Sequence, residues 1–336
     1  VWTTSRWARL SPFDGPAAPP TNGVKLAVRV AQNDRRGEVV SVANFSDAAK
    51  TAVVSVAGLP GGEKPAYLTV RQAEYVAMPS RPWDADALPV AGAVKNGWTV
   101  SLPAGLSRQL WLDVQVKPGS CPAGTHQGEL VVKVDGGPEL RVPLTLTVDD
   151  VVLPEQKAVS VGNWDYAHGG SRGNPDARGS AGYALHEGNI DAAIKQMRDS
   201  GVTVPWAIVQ YSSKDLWPLR LVEFDKEGNL VKLANMEVFD AWIKSWPGAR
   251  YYAIVAGIAS SYAGAEMGTE PFNQRVGKAA RKWADHMKND LGVDPSKIVI
   301  LILDEPGGEG QANTILTWAK AIRAAVPEFK FIVDPT

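Results

Sequence analysis

A single cysteine, Cys121, stands among 336 residues, so no internal disulfide and no cysteine-based zinc site can form. The formal net charge is −1, and no run of Lys or Arg offers the basic stripe that nucleic acid needs, so no nucleic-acid partner is expected. No apolar stretch approaches the roughly 18 residues that cross a bilayer as a helix, and no membrane span is expected. No G-x-G-x-x-G follows a strand and no G-x-x-x-x-G-K-[ST] occurs, which removes the common phosphate cradles. The four histidines, His126, His168, His186 and His286, are dispersed and form no H-x-x-x-H pair. Neither a metal nor a cofactor is therefore expected.

What is present is the composition of a soluble globular chain, 45% apolar and 21% charged. Tryptophan is abundant, at twelve residues. Its flat apolar face and polar edge suit sugar rings, although most copies belong in a core. The most informative peptide is Lys297-Ile-Val-Ile-Leu-Ile-Leu-Asp304-Glu305-Pro306. A continuous apolar run of this length reads as a strand buried on both faces. It stops at two adjacent carboxylates, where α/β folds place their chemistry.

The chain divides into two grammars. Residues 1–153 alternate apolar and polar positions over short stretches such as Val24–Val30, Trp98–Leu102, Leu110–Val116 and Leu140–Val148. Turn residues separate them at Leu59–Gly62, Asn96-Gly97 and Asp135–Gly137, which predicts an antiparallel β-sandwich. Residues 154–336 alternate strand and helix, the repeat of a parallel sheet. The strands read as Val159–Gly162, Val202–Val209, Tyr251–Val255, the apolar run that ends at Asp304-Glu305, and Phe331–Val333. A small hairpin is expected over Leu221–Phe224 and Leu230–Leu233. Thr269-Glu-Pro271 reads as a helix start with a capping hydroxyl. About five βα units are too few to close an eight-stranded barrel, so these residues form part of a barrel or a smaller open sheet. The chain starts at Val1, without a signal sequence, and its last strand has no following helix. It reads as a piece of something longer.

In such a sheet the residues at the C-terminal strand ends share one mouth. Strand one delivers Asn163, Trp164, Asp165 and Tyr166, with His168 in the loop beyond. Strand two carries Trp206 and ends at Gln210 and Tyr211. Strand three delivers Ser260, Ser261 and Tyr262, strand four Asp304 and Glu305, and strand five Asp334. Carboxylates, amides and aromatics without lysine suit a neutral, hydroxyl-rich ligand. Cleaving a glycosidic bond needs a proton for the leaving oxygen and negative charge near the oxocarbenium ion. Glu305 is the candidate acid, and burial beside the Asp304 charge is expected to keep it protonated. Pro306 is expected to hold Glu305 extended, but alternation alone does not decide which of the two acids points inward. An acidic pair at this position can also simply cap the next helix.

Three stretches carry a family resemblance: Arg108–Val116 with Pro122–Val132, Val142–Pro154, and the Asp304-Glu305-Pro306 end of the fourth strand. A β-sandwich followed by a barrel with that motif resembles glycoside hydrolase family 123 and the related domain-of-unknown-function group 4091. The resemblance implies a β-N-acetylgalactosaminidase or related hexosaminidase that works by substrate assistance, with a glycan as substrate. Glu305 would be the acid/base, and Asp304 would orient the 2-acetamido group. It further implies that residues 154–336 are a truncated catalytic (β/α)-barrel domain, completed by a C-terminal segment or a second chain. A secreted, periplasmic or cell-surface location goes with that role. Two other readings remain open. One is a two-carboxylate glycosidase of clan A type, and the other is a non-catalytic carbohydrate-binding or cell-surface protein.

Overall fold

The computed structural model describes residues 1–8, 10–15, 23–78, 81–155, 158–162, 189–208, 217–234 and 236–334. The chain separates into two compact units, Val1–Gln156 and Lys157–Thr336, three residues beyond the expected junction.

The strands of the first unit, in chain order, are β1 (Leu26–Gln32), β2 (Asp34–Ala43), β3 (Lys50–Ala57), β4 (Leu68–Gln72), β5 (Glu74–Met78), β6 (Arg81–Ala87), β7 (Gly92–Val94), β8 (Gly97–Leu102), β9 (Ser107–Val116), β10 (Gly124–Val134) and β11 (Glu139–Val152). Six of them form a sheet in the order β1-β11-β10-β3-β8-β7, three form a second sheet, β2-β9-β4, and β5 pairs with β6. All pairings are antiparallel except β1 with β11. Alternation decides the inward faces. Leu110, Leu112, Val114 and Val116 of β9 join Val54 and Val56 of β3 and Leu144, Leu146 and Val148 of β11 in one hydrophobic cluster, so the two larger sheets share a core. Cys121 is buried in the same cluster.

The β7–β8 hairpin corrects the expected turn by one position. Val94 pairs with Gly97, so Lys95 and Asn96 form the loop and Gly97 is the first paired residue of β8. Glycine is required there, because a Cβ would run into the carbonyl oxygen of Val54.

The second unit follows the order α1 (Ile190–Asp199), β12 (Trp206–Ile208), β13 (Val222–Phe224), β14 (Leu230–Leu233), α2 (Glu237–Ser245), β15 (Tyr252–Val255), β16 (Ser261–Tyr262), β17 (Ala265–Glu266), α3 (Glu270–Asn289), β18 (Ile298–Asp304), α4 (Glu309–Ala325) and β19 (Lys330–Asp334). β12, β15, β18 and β19 form a parallel sheet in chain order. A parallel bridge between Gly162 and Val204 extends that order by one segment. The order does not reverse among the described strands, as it would at the switch point of a doubly wound sheet.

Ile298, Ile300 and Ile302 of β18 face one large cluster. That cluster takes Ile190 and Ile194 from α1, Phe239 and Trp242 from α2, Val276, Trp283 and Met287 from α3, and Trp318 and Ile322 from α4. All four described helices thus bury against the same face. Edge-on ring contacts add to this core: Phe272–Trp318 at 5.0 Å ties α3 to α4, and Trp217–Trp283 at 5.7 Å ties the segment before β13 to α3, each contributing about 0.5–1.5 kcal/mol beyond area burial. On the other face Val255 and Leu301 pack with Trp206 and Ile332 in a much smaller cluster.

Helix α3 begins where expected, with Pro271 in its first turn, but Thr269 does not cap it. Its hydroxyl donates to the Glu266 carbonyl at 2.6 Å instead, the same carbonyl that the Thr269 N–H reaches at 3.2 Å. Near the other end of α3, His286 lies between two carboxylates, with Nε2 2.8 Å from Asp240 of α2 and Nδ1 2.7 Å from Asp290.

Candidate active site

The C-terminal end of β18 departs from regular pairing. Leu301 is opposite Ile332, and the next paired residues are Asp304 and Asp334. Three steps along β18 therefore match two along β19, which is a β-bulge. In regular alternation Asp304 would follow Ile300 and Ile302 onto the helix-covered face. The bulge cancels that. Asp334 lies two residues beyond Ile332 and shares its face, and Asp304, paired with Asp334, joins them on the sparsely covered side. Asp304 is half-buried there. Burial, then the charges of Glu305 and Asp334, push its carboxyl above the usual aspartate range.

Glu305 takes a left-handed backbone, with φ of 47°, not the extended one expected before Pro306. The ring of a following proline disfavours the right-handed helical region but leaves the left-handed one accessible, and the chain must turn sharply here to enter α4. The conformation costs a residue with a Cβ about 1–2 kcal/mol. Glu305 is exposed, so the burial expected to hold its proton is not supplied by the described residues. Nor are the acids spent on the next helix. Gly308 is the N-cap residue of α4 and no side chain caps it, while the Gly307 N–H donates to Gln311 Oε1 at 2.5 Å.

The other candidates separate. Asp334 is beside Asp304. Trp206 shares its face but not its level, because the register Trp206, Ala253, Val299 and Lys330 puts it four residues below Asp334, about 13 Å along the strand direction. It floors that face rather than lining the rim. Tyr262 is on the helix-covered side. Its ring packs edge-on against Phe224 and Trp318, its hydroxyl donates to the Leu219 carbonyl at 2.7 Å, and burial raises its pKa. The reading of Ser260–Tyr262 as a strand end fails because β15 stops at Val255 and Tyr262 belongs to a separate small hairpin. Asn163, Trp164, Asp165, Tyr166, His168, Gln210 and Tyr211 lie outside the described residues, as does His186.

One group at this end was not anticipated. Arg220 lies over Gly257, just past β15, with Nε donating to the Gly257 carbonyl at 3.3 Å. A Cβ at 257 would come within 2.7 Å of the guanidinium, so a glycine lets a cation reach a rim for which the strand ends supplied none. Among the described residues no group of three or more His, Cys, Asp or Glu is arranged to hold a metal ion, and no helix is long and apolar enough to cross a membrane.

No family model matches the chain, and no curated protein matches its sequence. Solved structures do match its fold. A family 123 glycoside hydrolase from Clostridium perfringens, studied for glycolipid glycan hydrolysis, aligns over 88% of this chain with a TM-score of 0.59 and 10% identity. The alignment takes in 57% of that enzyme, so the present chain spans little more than half its length. At that identity the likeness is one of fold. A Bacteroides ovatus GH5 xyloglucanase in complex with a XXXG heptasaccharide aligns over 91% of this chain and 61% of its own, at 9% identity and a TM-score of only 0.28. The Pseudomonas aeruginosa CupB2 chaperone aligns over 38% of this chain and 55% of its own, at 11% identity and a TM-score of 0.24. Neither of these two carries an argument.

Proposed function

We propose that this chain carries the catalytic face of a glycoside hydrolase, a retaining β-N-acetylgalactosaminidase or related hexosaminidase that works by substrate assistance. The observation that carries the reading is the bulge at the end of β18. It turns Asp304 onto the sparsely covered face beside Asp334, while Glu305 leaves the strand in a left-handed conformation. The fold likeness to a family 123 enzyme supports it. In this reading the first unit is a β-sandwich. The four sequential strands, with the described helices on one face only, are an arc of a (β/α) barrel whose interior is the Asp304 face.

The chemistry then needs no carboxylate nucleophile. The 2-acetamido oxygen attacks the anomeric carbon as the glycosidic C–O bond breaks, and Glu305 gives its proton to the leaving oxygen. Asp304 accepts a hydrogen bond from the acetamido N–H and balances the charge that builds on the oxazolinium ring. Water then adds to the anomeric carbon and reopens that ring. Its proton returns to Glu305, and configuration is retained.

The exposure of Glu305 favours one addition. A general acid needs a drier setting to hold its proton at neutral pH, so we propose that further strands, from a C-terminal segment or a second chain, cover this face. A glycan substrate and a location outside the cytoplasm follow from the same reading.

Chromogenic N-acetylgalactosaminides and N-acetylglucosaminides, each assayed against the matching hexoside without the 2-acetamido group, test the proposal. Turnover confined to the acetamido sugars, with tight inhibition by a thiazoline analogue and loss in Glu305→Gln, is expected. Equal turnover of the plain hexosides would move the site to the two-carboxylate class. Binding without turnover, unchanged in Glu305→Gln, would make it a carbohydrate-binding protein.

A further inference from the structure

Arg220 closes a short helical turn, Pro218–Arg220, and stands between the buried Leu219 and Leu221. The Leu219 carbonyl accepts from the Tyr262 hydroxyl at 2.7 Å, so the backbone that carries the guanidinium is anchored. The side chain is exposed and reaches Gly257, where Nε donates to the carbonyl at 3.3 Å.

Alternation says which face the guanidinium covers. Val255 packs with Leu301 on the Asp304 face, and Ala256 is buried in the helix-side cluster. Gly257 therefore points to the Asp304 face again. A Cβ built on it would meet Arg220 Nη2 at 2.7 Å and Cζ at 3.0 Å, which puts the guanidinium over that face. Its level matches as well. Val255, Leu301 and Ile332 form one row across β15, β18 and β19, and Ala256 continues the ladder by donating to the Leu301 carbonyl at 2.8 Å. Gly257 and Asp334 each stand two residues beyond that row, and the bulge brings Asp304 level with Asp334. Gly257 and Asp304 are thus neighbours across adjacent strands, which lie about 4.8 Å apart.

We propose that Arg220 is a specificity-determining residue of this site and reads an anionic group, a sulfate ester or a carboxylate, on the glycan. The inference rests on the hydrolase reading for the sugar and adds its charge. Nε is engaged by Gly257, which orients the planar fork, and neither Nη atom has a partner among the described residues. Those two nitrogens can hold an oxyanion through parallel N–H bonds. The nearby acids do not take up the charge. Among the described residues no ion pair joins Arg220 to Asp304, Glu305 or Asp334, and the Asp304 carboxyl stays above the ordinary range. Without such a cation the same acids would repel an anionic sugar, so the arginine decides whether one enters.

Equilibrium binding to the full chain, followed by NMR, tests this without turnover. The probes are N-acetylgalactosamine, N-acetylgalactosamine 6-sulfate, and a disaccharide of N-acetylgalactosamine with glucuronic acid. At least one anionic probe should bind roughly tenfold tighter than the neutral sugar, and which one does so tells whether the same sugar or the next carries the anion. The gain should vanish in Arg220→Met, which keeps the aliphatic stem, and in Arg220→Gln, which keeps a hydrogen-bond donor without the charge. An unchanged thermal midpoint shows that both variants fold. No gain in the parent, or a gain that survives either substitution, overturns the proposal, and turnover of neutral acetamido sugars would then leave the hydrolase reading intact. A gain lost in both variants, in a chain that cleaves no acetamido glycoside, keeps the anion site and counts against the hydrolase reading instead.

Discussion

Two aspartates, one in each unit, stand on inner strands of their sheets, Asp113 within β9 and Asp304 at the bulged end of β18, and meet opposite surroundings. Asp113 of β9 accepts from Arg35 at 2.6 and 2.5 Å and from Arg71 at 3.0 Å. Burial would raise its pKa, but those hydrogen bonds and charges outweigh burial and hold the carboxyl below the ordinary range. Asp304 of β18 is also partly withdrawn from water, but its charged neighbours are Glu305 and Asp334, and its carboxyl is raised. One acid is satisfied by its surroundings and serves the sheet. The other is left in conflict, where a structural role offers no compensation. Such conflict is what a binding or catalytic site preserves.

The largest effect should come from the conflicted end. Glu305→Gln removes the proposed proton donor without removing volume, and a loss of about 10²–10⁴-fold in hydrolysis of an acetamido glycoside is expected. Steady-state assay at the optimum checks it, with the thermal midpoint unchanged. The counterpart at the satisfied end is Asp113→Ala, which strands two arginines against a half-buried surface. Allowing for solvent screening of a partly exposed network, a loss of about 1–3 kcal/mol is expected in denaturant unfolding of the first unit, with no effect on the other unit's chemistry. If Asp113→Ala were silent and Glu305→Gln melted the chain, the contrast drawn above would be reversed.

The sequence disclosed the division into two grammars, the order of the βα steps and the acidic end of the fourth strand, because each is written in periodicity or in an abrupt change of residue class. Val276, Ala280, Trp283, Met287 and Leu291 mark a helix face by spacing alone; the first four are buried on α3, while Leu291 lies past the helix end at Asn289 and is only partly buried. The bulge in β18 left no trace. A strand that is apolar at every position from Ile298 to Leu303 carries no alternation, so an extra residue in it changes nothing that can be read. The face of Asp304, the one fact the site depends on, was therefore hidden by the very run that located it. Tyr262 was misassigned for a related reason. Ser260, Ser261 and Tyr262 look like a polar strand end, and only the pairing of Tyr262 with Ala265 shows a separate hairpin that turns the ring toward Trp318. Arg220 was missed because nothing local links it to Gly257, 37 residues on.

A third experiment sharpens the contrast through backbone strain. Asn33 and Glu305 both hold left-handed φ, at 60° and 47°. Asn33 is a turn residue whose type tolerates that region, and glutamate is not. Glu305→Gly should therefore stabilise the second unit by about 1 kcal/mol while abolishing hydrolysis. Asn33→Gly should change stability by only a few tenths of that. Differential unfolding of the two variants reads both. A Glu305→Gly variant no more stable than the parent would mean that the surroundings impose no strain, and the argument that function maintains it would go.

The smallest effect is the dependence of stability on pH, and here the two aspartates should carry opposite signs. The depressed pKa of Asp113 means that its folded carboxylate is favoured. Its contribution is fully present above the ordinary aspartate value near pH 4 and is lost as pH falls through the lower folded value. The raised pKa of Asp304 works the other way. Between the ordinary value and the raised one, the folded chain holds a proton that the unfolded chain releases, so this contribution to stability grows as pH falls through that interval. Hydrogen exchange followed by mass spectrometry separates the two, because peptides of β9 and β18 report on their own units. As pH falls towards about 4, protection in the β18 peptides should rise slightly in the parent, and that rise should disappear in Asp304→Asn. Below pH 4 protection in the β9 peptides should fall, and Asp113→Asn should flatten that fall. Identical slopes in both units would mean that the two carboxylates feel the same environment, and the distinction between a structural and a functional acid would have no electrostatic basis.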